Sequence, residues 1–150
     1  MPIDDLLADF VHWNGRDTTT VPPLLFGDRG VSGRYRDLSL HSAFQPLVSA
    51  ATLDAVAHEA LLRACDGSGQ AIPPPAAFAI PETPAEVVYF DRLCRMLHVL
   101  NFVNQDNGSG TLYLNVSGRH LLGVGEGDHG KTFETLLSCC GIGPERIVLE

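Results

Sequence analysis

The chain has 150 residues, with 10 Lys and Arg against 18 Asp and Glu, a formal net charge of -8. A hydrophobic content of 45% with 19% charged residues is that of a globular domain long enough to bury one substantial core. The negative balance argues against a nucleic-acid-binding surface and against adhesion to anionic lipid, while leaving room for a small anionic ligand at a local site.

No apolar run approaches the ~20 residues needed to span a bilayer. The N-terminus lacks a basic region followed by an apolar core, so no secretory leader is expected. Cys65, Cys94, Cys139 and Cys140 show neither zinc-ligand spacing nor a dense disulfide pattern. Reduced, packing thiols in a cytoplasmic protein are the expectation.

Residues 3 to 13 read as a short amphipathic helix, with Ile3, Leu6, Leu7, Phe10 and Val11 on one face. Asn14 to Gly33, with Pro22-Pro23 and several glycines, reads as a loop, so residues 1–35 form a helix and linker ahead of a main body over 36–150. The first strand is expected around Ser42 to Val48, with Pro46 suggesting an edge position or a strand end. Val56 to Arg63 is the second strand, paired with the first as an antiparallel hairpin. Cys65 to Pro81, rich in Gly and Pro, reads as one long loop of the kind that often carries function.

A helix then begins with a clear signal. Thr83 caps it, Pro84 suits its first turn and Glu86 completes a capping box. Phe90, Leu93, Cys94, Leu97 and Leu100 follow at helical spacing, and the helix ends near Asn104 before an Asp106-Asn107-Gly108 turn. Thr111 to Val116 is the third strand and Leu121 to Gly130 a glycine-rich loop. Lys131 to Cys140 is a second amphipathic helix stopped at Gly141, and Arg146 to Glu150 is a fourth strand. From Val56 onward the order is βαβαβ, which implies parallel pairing with right-handed crossovers.

Three strands carry an oxygen donor in or at the end of an apolar run: Glu59, Asn115 and Glu150. An unpaired carboxylate in such a run is costly to bury. In parallel sheets and barrels the carboxyl ends of strands form the site. Two carboxylates and an amide converging there are hard donors suited to Mg²⁺, Mn²⁺ or Ca²⁺ rather than zinc or copper. Taken singly, each could merely end its own strand.

These residues resemble the EAL domains, which hydrolyse the bacterial second messenger cyclic di-GMP. The resemblance starts at Phe44-Gln45-Pro46-Leu47-Val48 and includes Glu59-Ala60-Leu61-Leu62-Arg63, the signature triplet with its following arginine. It continues through Pro75-Ala76-Ala77-Phe78, Phe90-Asp91-Arg92-Leu93 and Leu114-Asn115-Val116-Ser117 to the run Gly141–Glu150, covering about residues 40 to 150. It implies an α/β fold, a partial TIM-like (β/α) barrel with an N-terminal helical extension. It also implies Glu59, Asn115 and Glu150 as ligands of Mg²⁺ or Mn²⁺, with Gln45 and Arg63 holding the guanine-phosphate part of cyclic di-GMP. An arginine fork suits phosphate better than lysine would. The implied chemistry is metal-assisted attack of water on a phosphodiester, giving linear pGpG.

Family barrels need roughly 250 residues, and this sequence ends after about half. The family's paired aspartates, later lysine, later general base and last-strand glutamine are absent from it, and His58 stands where glycine or an aromatic is commoner. The expectation is therefore an incomplete domain without turnover on its own, prone to dimerise or swap through open edges. The alternative is a non-catalytic module that binds cyclic di-GMP or a partner protein. A third pattern, Gly125-Glu126-Gly127-Asp128-His129-Gly130-Lys131-Thr132, fits the phosphate-loop spacing. It does not follow directly from a strand, its two acidic residues would repel phosphate, and it reads as a chance match. His41, His98, His120 and His129 show no ligand spacing, and His58, on the face opposite Glu59, falls outside the site.

Overall fold

A computed structural model describes residues 22–105, 110–119 and 129–150. The helix expected over 3 to 13, the turn at 106–108 and the start of the phosphate-loop pattern lie outside the described residues.

The architecture is one mixed sheet with helices on it. Its strands are β1 (Leu24–Gly27), β2 (Gly30–Tyr35), β3 (Leu38–Val48), β4 (Ala55–Cys65), β5 (Ala71–Ile72), β6 (Thr111–Leu114) and β7 (Ile147–Leu149). The helices are α1 (Pro74–Ala79), α2 (Pro84–Val103) and α3 (His129–Cys139), and a 3₁₀ turn at Pro144–Arg146 leads into β7. The spatial order is β1-β2-β3-β4-β6-β7, with β5 on the same side of β4 as β6 but farther along. The first four strands are antiparallel neighbours, whereas β4, β6 and β7 run parallel through the crossovers of α2 and α3. The βαβαβ order and the antiparallel β3–β4 hairpin are as the sequence indicates.

The expected loop up to Gly33 is instead, from Leu24, a hairpin continuous with the sheet. Its turns are two residues long: Gly27 faces Gly30 and Tyr35 faces Leu38. Gly30 sits at φ +111°, where a Cβ would lie 2.6 Å from Asn101 Oδ1. Glycine is required there, and it hides the strand in the sequence. β2 and β3 then diverge after the Gly33–Leu40 pair. At that point the Asn101 amide inserts itself, accepting from the Val31 N–H (2.9 Å) and donating to the Val31 carbonyl (2.8 Å) and Ser42 Oγ (3.3 Å). A side chain from α2 thus satisfies backbone groups that a strand partner would otherwise satisfy.

Pairing with β2 starts β3 at Leu38, four residues earlier than expected, and the divergence explains Pro46. β3 is an inner strand, but beyond Leu40 it has only β4 beside it, so Pro46 stands on a local edge. The long loop over Cys65 to Pro81 likewise contains structure. β5 pairs with the end of β4, and α1 starts on Pro74, whose missing N–H costs nothing in a first turn.

The start of α2 follows its local chemistry. Thr83 Oγ1 accepts from the Glu86 N–H at 3.2 Å, and Glu86 Oε2 accepts from the N–H groups of Thr83 (3.2 Å) and Glu82 (3.1 Å). Glu86 also pairs with Arg36 at 3.0 Å, which ties the β2–β3 turn to the helix. These donors hold the Glu86 carboxyl at about 2, the backbone bonds contributing most. At the end of α3, Gly141 adopts φ +72° and the Ile142 N–H reaches back to the Leu137 carbonyl at 3.0 Å, as a left-handed cap does.

The core lies on one face of the sheet. Leu38 and Leu40 of β3, Ala60, Leu62 and Ala64 of β4, and Leu112 and Leu114 of β6 are buried against Phe90, Leu93, Leu97, Val99 and Phe102 of α2. The alternate residues point the other way and stay half-buried or exposed: His41, Ala43, Gln45 and Leu47 on β3, Glu59, Leu61 and Arg63 on β4, Tyr113 on β6.

Candidate functional site

The polar residues singled out in the sequence come from that second face. Gln45 is directly opposite Glu59 in the β3–β4 ladder, and Arg63, four residues along β4, is opposite His41. A period of two places Gln45, Glu59, His41 and Arg63 on the same side. β6 pairs with β4 so that Tyr113 faces Glu59, and β7 pairs with β6 so that Val148 faces Tyr113. Continued by two residues, that register puts Asn115 beside Glu150, again on the Glu59 side. The backbone carries the pairing that far: the Glu150 N–H donates to the Leu114 carbonyl (3.0 Å), and the Val116 N–H donates to the Glu150 carbonyl (2.8 Å).

A further contact is between side chains. Asn115 Nδ2 donates to Glu59 Oε1 at 3.1 Å, across 56 residues of sequence. Glu59 is half-buried, and Asn115, Glu150, Gln45 and Arg63 are exposed. The Arg63 guanidinium turns back to the carbonyl of Leu62 at 3.0 Å. Glu59 and Asn115 are therefore in contact, Gln45 and Glu150 flank them in register, and Arg63 stands two side-chain repeats farther toward the carboxyl end of β4. Among the described residues no group of three His, Cys, Asp or Glu side chains is arranged to hold a metal ion. The donor set is two carboxylates with an amide, and a turn of the Asn115 amide about its terminal bond presents Oδ1 beside Glu59.

His58 points to the helix side, its ring 6.0 Å from Phe102, as alternation requires. Phe102 also packs on Phe44 at 5.9 Å and lies under the Arg146 guanidinium, whose Nε donates to the Gly110 carbonyl at 2.9 Å. These contacts fasten the entry ends of β6 and β7. Their exit ends are fastened by residues that sequence reasoning treated only as part of a helix. Asp91, 1% exposed, pairs with Arg95 at 2.7 Å, and its Oδ1 accepts from the Ser117 N–H at 2.8 Å, two residues beyond Asn115. The signal was present: Asp91 and Arg95 interrupt an apolar face at a spacing of four. Next along the chain, Arg119 donates to the carbonyls of Phe78 (3.1 Å) and Pro81 (2.9 Å).

Three solved structures share this architecture. The EAL enzyme Bd1971 in its cAMP-bound form matches with a TM-score of 0.61 at 18% identity, over 76% of this chain and 33% of its own. The EAL domain of FimX from Pseudomonas aeruginosa, bound to c-di-GMP, matches with a TM-score of 0.55 at 23% identity, over 73% of this chain and 43% of its own.

The chain carries part of the EAL-domain fold.

Klebsiella pneumoniae BlrP1, with FMN and cyclic diGMP and no metal ions, matches with a TM-score of 0.60 at 18% identity, over 100% of this chain and 41% of its own. The chain spans between 33% and 43% of the length of these EAL proteins. No protein-family model matches the sequence, and no curated protein does. Within the EAL fold, β4, β6 and β7 form part of a TIM-like wall, and Asn115 and Glu150 lie just past the carboxyl ends of their strands. No helix among the described residues is long and apolar enough to cross a membrane.

Proposed function

We propose that these residues form the first part of an EAL-type site for cyclic di-GMP, built for metal-assisted hydrolysis of its phosphodiester. The observation that carries this reading is the Asn115–Glu59 contact at 3.1 Å with Glu150 in register beside Asn115, both of the latter just past the exit ends of parallel strands. Glu59, Asn115 and Glu150 would hold Mg²⁺ or Mn²⁺, because two carboxylates and an amide oxygen are the hard donors those ions take. When bound, such an ion polarises a phosphoryl oxygen and lowers the pKa of a coordinated water. Gln45 would donate to and accept from the ligand's polar edge, and Arg63 would meet its phosphate with a planar fork. Among the described residues the exposed Arg63 head donates to the backbone carbonyl of Leu62, a contact it can exchange for a phosphate.

The second reading, a module that binds cyclic di-GMP or a partner protein without turning the nucleotide over, uses the same face. Calorimetry separates the cases. Cyclic di-GMP titrated in the presence of Mn²⁺ is expected to bind, with the cation-dependent part lost in Glu59→Gln and Asn115→Ala and the affinity reduced in Arg63→Met. Binding that depends on Mn²⁺ and on Glu59 supports the metal-assisted site, and binding indifferent to Mn²⁺ and to Glu59→Gln assigns the module. Tight ATP binding that disappears in Lys131→Ala, with no binding of cyclic di-GMP, would overturn the cyclic di-GMP reading.

A further inference from the structure

Among the described residues Asp91 and Arg95 are the buried ion pair, at 1% and 7% exposure. Taking both charges out of water costs several kcal/mol, and apolar residues of the same volume often replace such a pair without loss of stability. The contribution to be explained is therefore geometric. Asp91 Oδ1 holds the Ser117 N–H at 2.8 Å, which fixes the path of the chain as it leaves β6. On that path Asn115 reaches Glu59 and the Val116 N–H reaches the Glu150 carbonyl. On the other side of the pair, the Arg95 guanidinium lies over the Phe133 ring at 5.0 Å, on α3, the helix that delivers β7 and Glu150. One ion pair on α2 thus touches the segment that carries Asn115 and the helix that leads toward Glu150, although neither of its residues reaches the second face.

We infer that Asp91, locked by Arg95, is a positioning residue for the Glu59–Asn115–Glu150 donor set, acting through the Ser117 amide. This rests on the reading of that set as a cation site. The carboxylate acts by accepting a backbone hydrogen bond, and Arg95 balances its charge and fixes its rotamer. An acceptor without net charge therefore suffices once Arg95 is also neutral.

The test uses two double variants of the full chain. Asp91→Leu with Arg95→Met keeps the volume and removes the acceptor; Asp91→Asn with Arg95→Gln keeps an acceptor oxygen and removes both charges. With Mn²⁺ as the probe, the Leu/Met variant is expected to fold and to bind roughly tenfold more weakly or worse, the range typical of losing an outer-shell partner. Its Ser117 amide exchanges faster, and the Asn115 side-chain amide resonance shifts. The Asn/Gln variant binds as the unsubstituted protein does. Ser117→Pro, which deletes the donor and leaves the pair in place, is the second route to the weaker binding. Equal Mn²⁺ affinity and an unmoved Asn115 resonance in folded Leu/Met protein overturn the inference. If the unsubstituted protein takes no Mn²⁺, the cation-site reading fails by itself. The Asn115 resonance then decides Asp91: a shift in Leu/Met but not in Asn/Gln upholds its positioning role, and no shift overturns it.

Discussion

His98 gives the protein a stability that depends on pH. Its ring is 5% exposed, and Nδ1 lies 2.8 Å from Ser42 Oγ. The Asn101 amide donates to the same hydroxyl at 3.3 Å, which leaves the Ser42 hydrogen to be given to a neutral imidazole. Burial lowers the His98 pKa from 6.5 to about 4. Because the folded value lies below the unfolded one, the unfolded chain takes up the proton first. The stabilisation is complete above about pH 6.5 and is lost as pH falls through about 4. At about 1.4 kcal/mol per pKa unit, the whole gap corresponds to roughly 3 kcal/mol, of which about 2 kcal/mol is gone by pH 5. Urea unfolding followed by circular dichroism at pH 7.5 and 5.0 measures the loss. His98→Asn keeps a neutral acceptor and cannot titrate, so groups common to both proteins cancel in the comparison. The unsubstituted protein is expected to lose about 2 kcal/mol more than the variant over that interval. Equal losses would refute the buried neutral imidazole, as would an NMR titration midpoint for His98 near 6.5.

Two further outcomes follow from local geometry. Thr83→Ala removes the cap of α2 and is expected to cost about 1 kcal/mol in urea unfolding, while the Glu86 carboxyl carbon should titrate near 2, its contribution present above the ordinary carboxylate range and lost as pH falls through about 2. Gly110→Ala should cost about 2 kcal/mol or more in the same assay, because Gly110 sits at φ +91° and a Cβ there would lie 2.9 Å from the Val56 carbonyl oxygen, where β6 joins β4.

Much of this could be read from the residues. The Thr83-Pro84-Glu86 signal places the start of α2 because a capping box is satisfied by groups within four residues of one another. The order of strands and helices from Val56 requires parallel pairing, whichever residues finally touch. Glu59, Asn115 and Glu150 stand out because a polar donor in an apolar strand is conspicuous without any structure. Alternation also puts His58 on the far side of β4 from Glu59, where the structure has it.

The tertiary structure decided the rest, wherever the partner lies far along the chain. The β1–β2 hairpin has few residues and glycine-rich turns, so its local signal is that of a loop; it is a sheet because Tyr35 and Leu24 find a core and because Asn101, 70 residues away, completes the ladder at Val31. α1 is concealed by the prolines that start it. Asp91 reads as one more helical polar residue until Ser117 is seen to donate to it from 26 residues away. Caps and periodicity are written within a turn or two of chain, and sequence suffices for them. Which backbone amide a buried carboxylate holds, and which amide reaches Glu59, depends on how β4, β6 and α2 pack, and no short stretch of sequence specifies that packing.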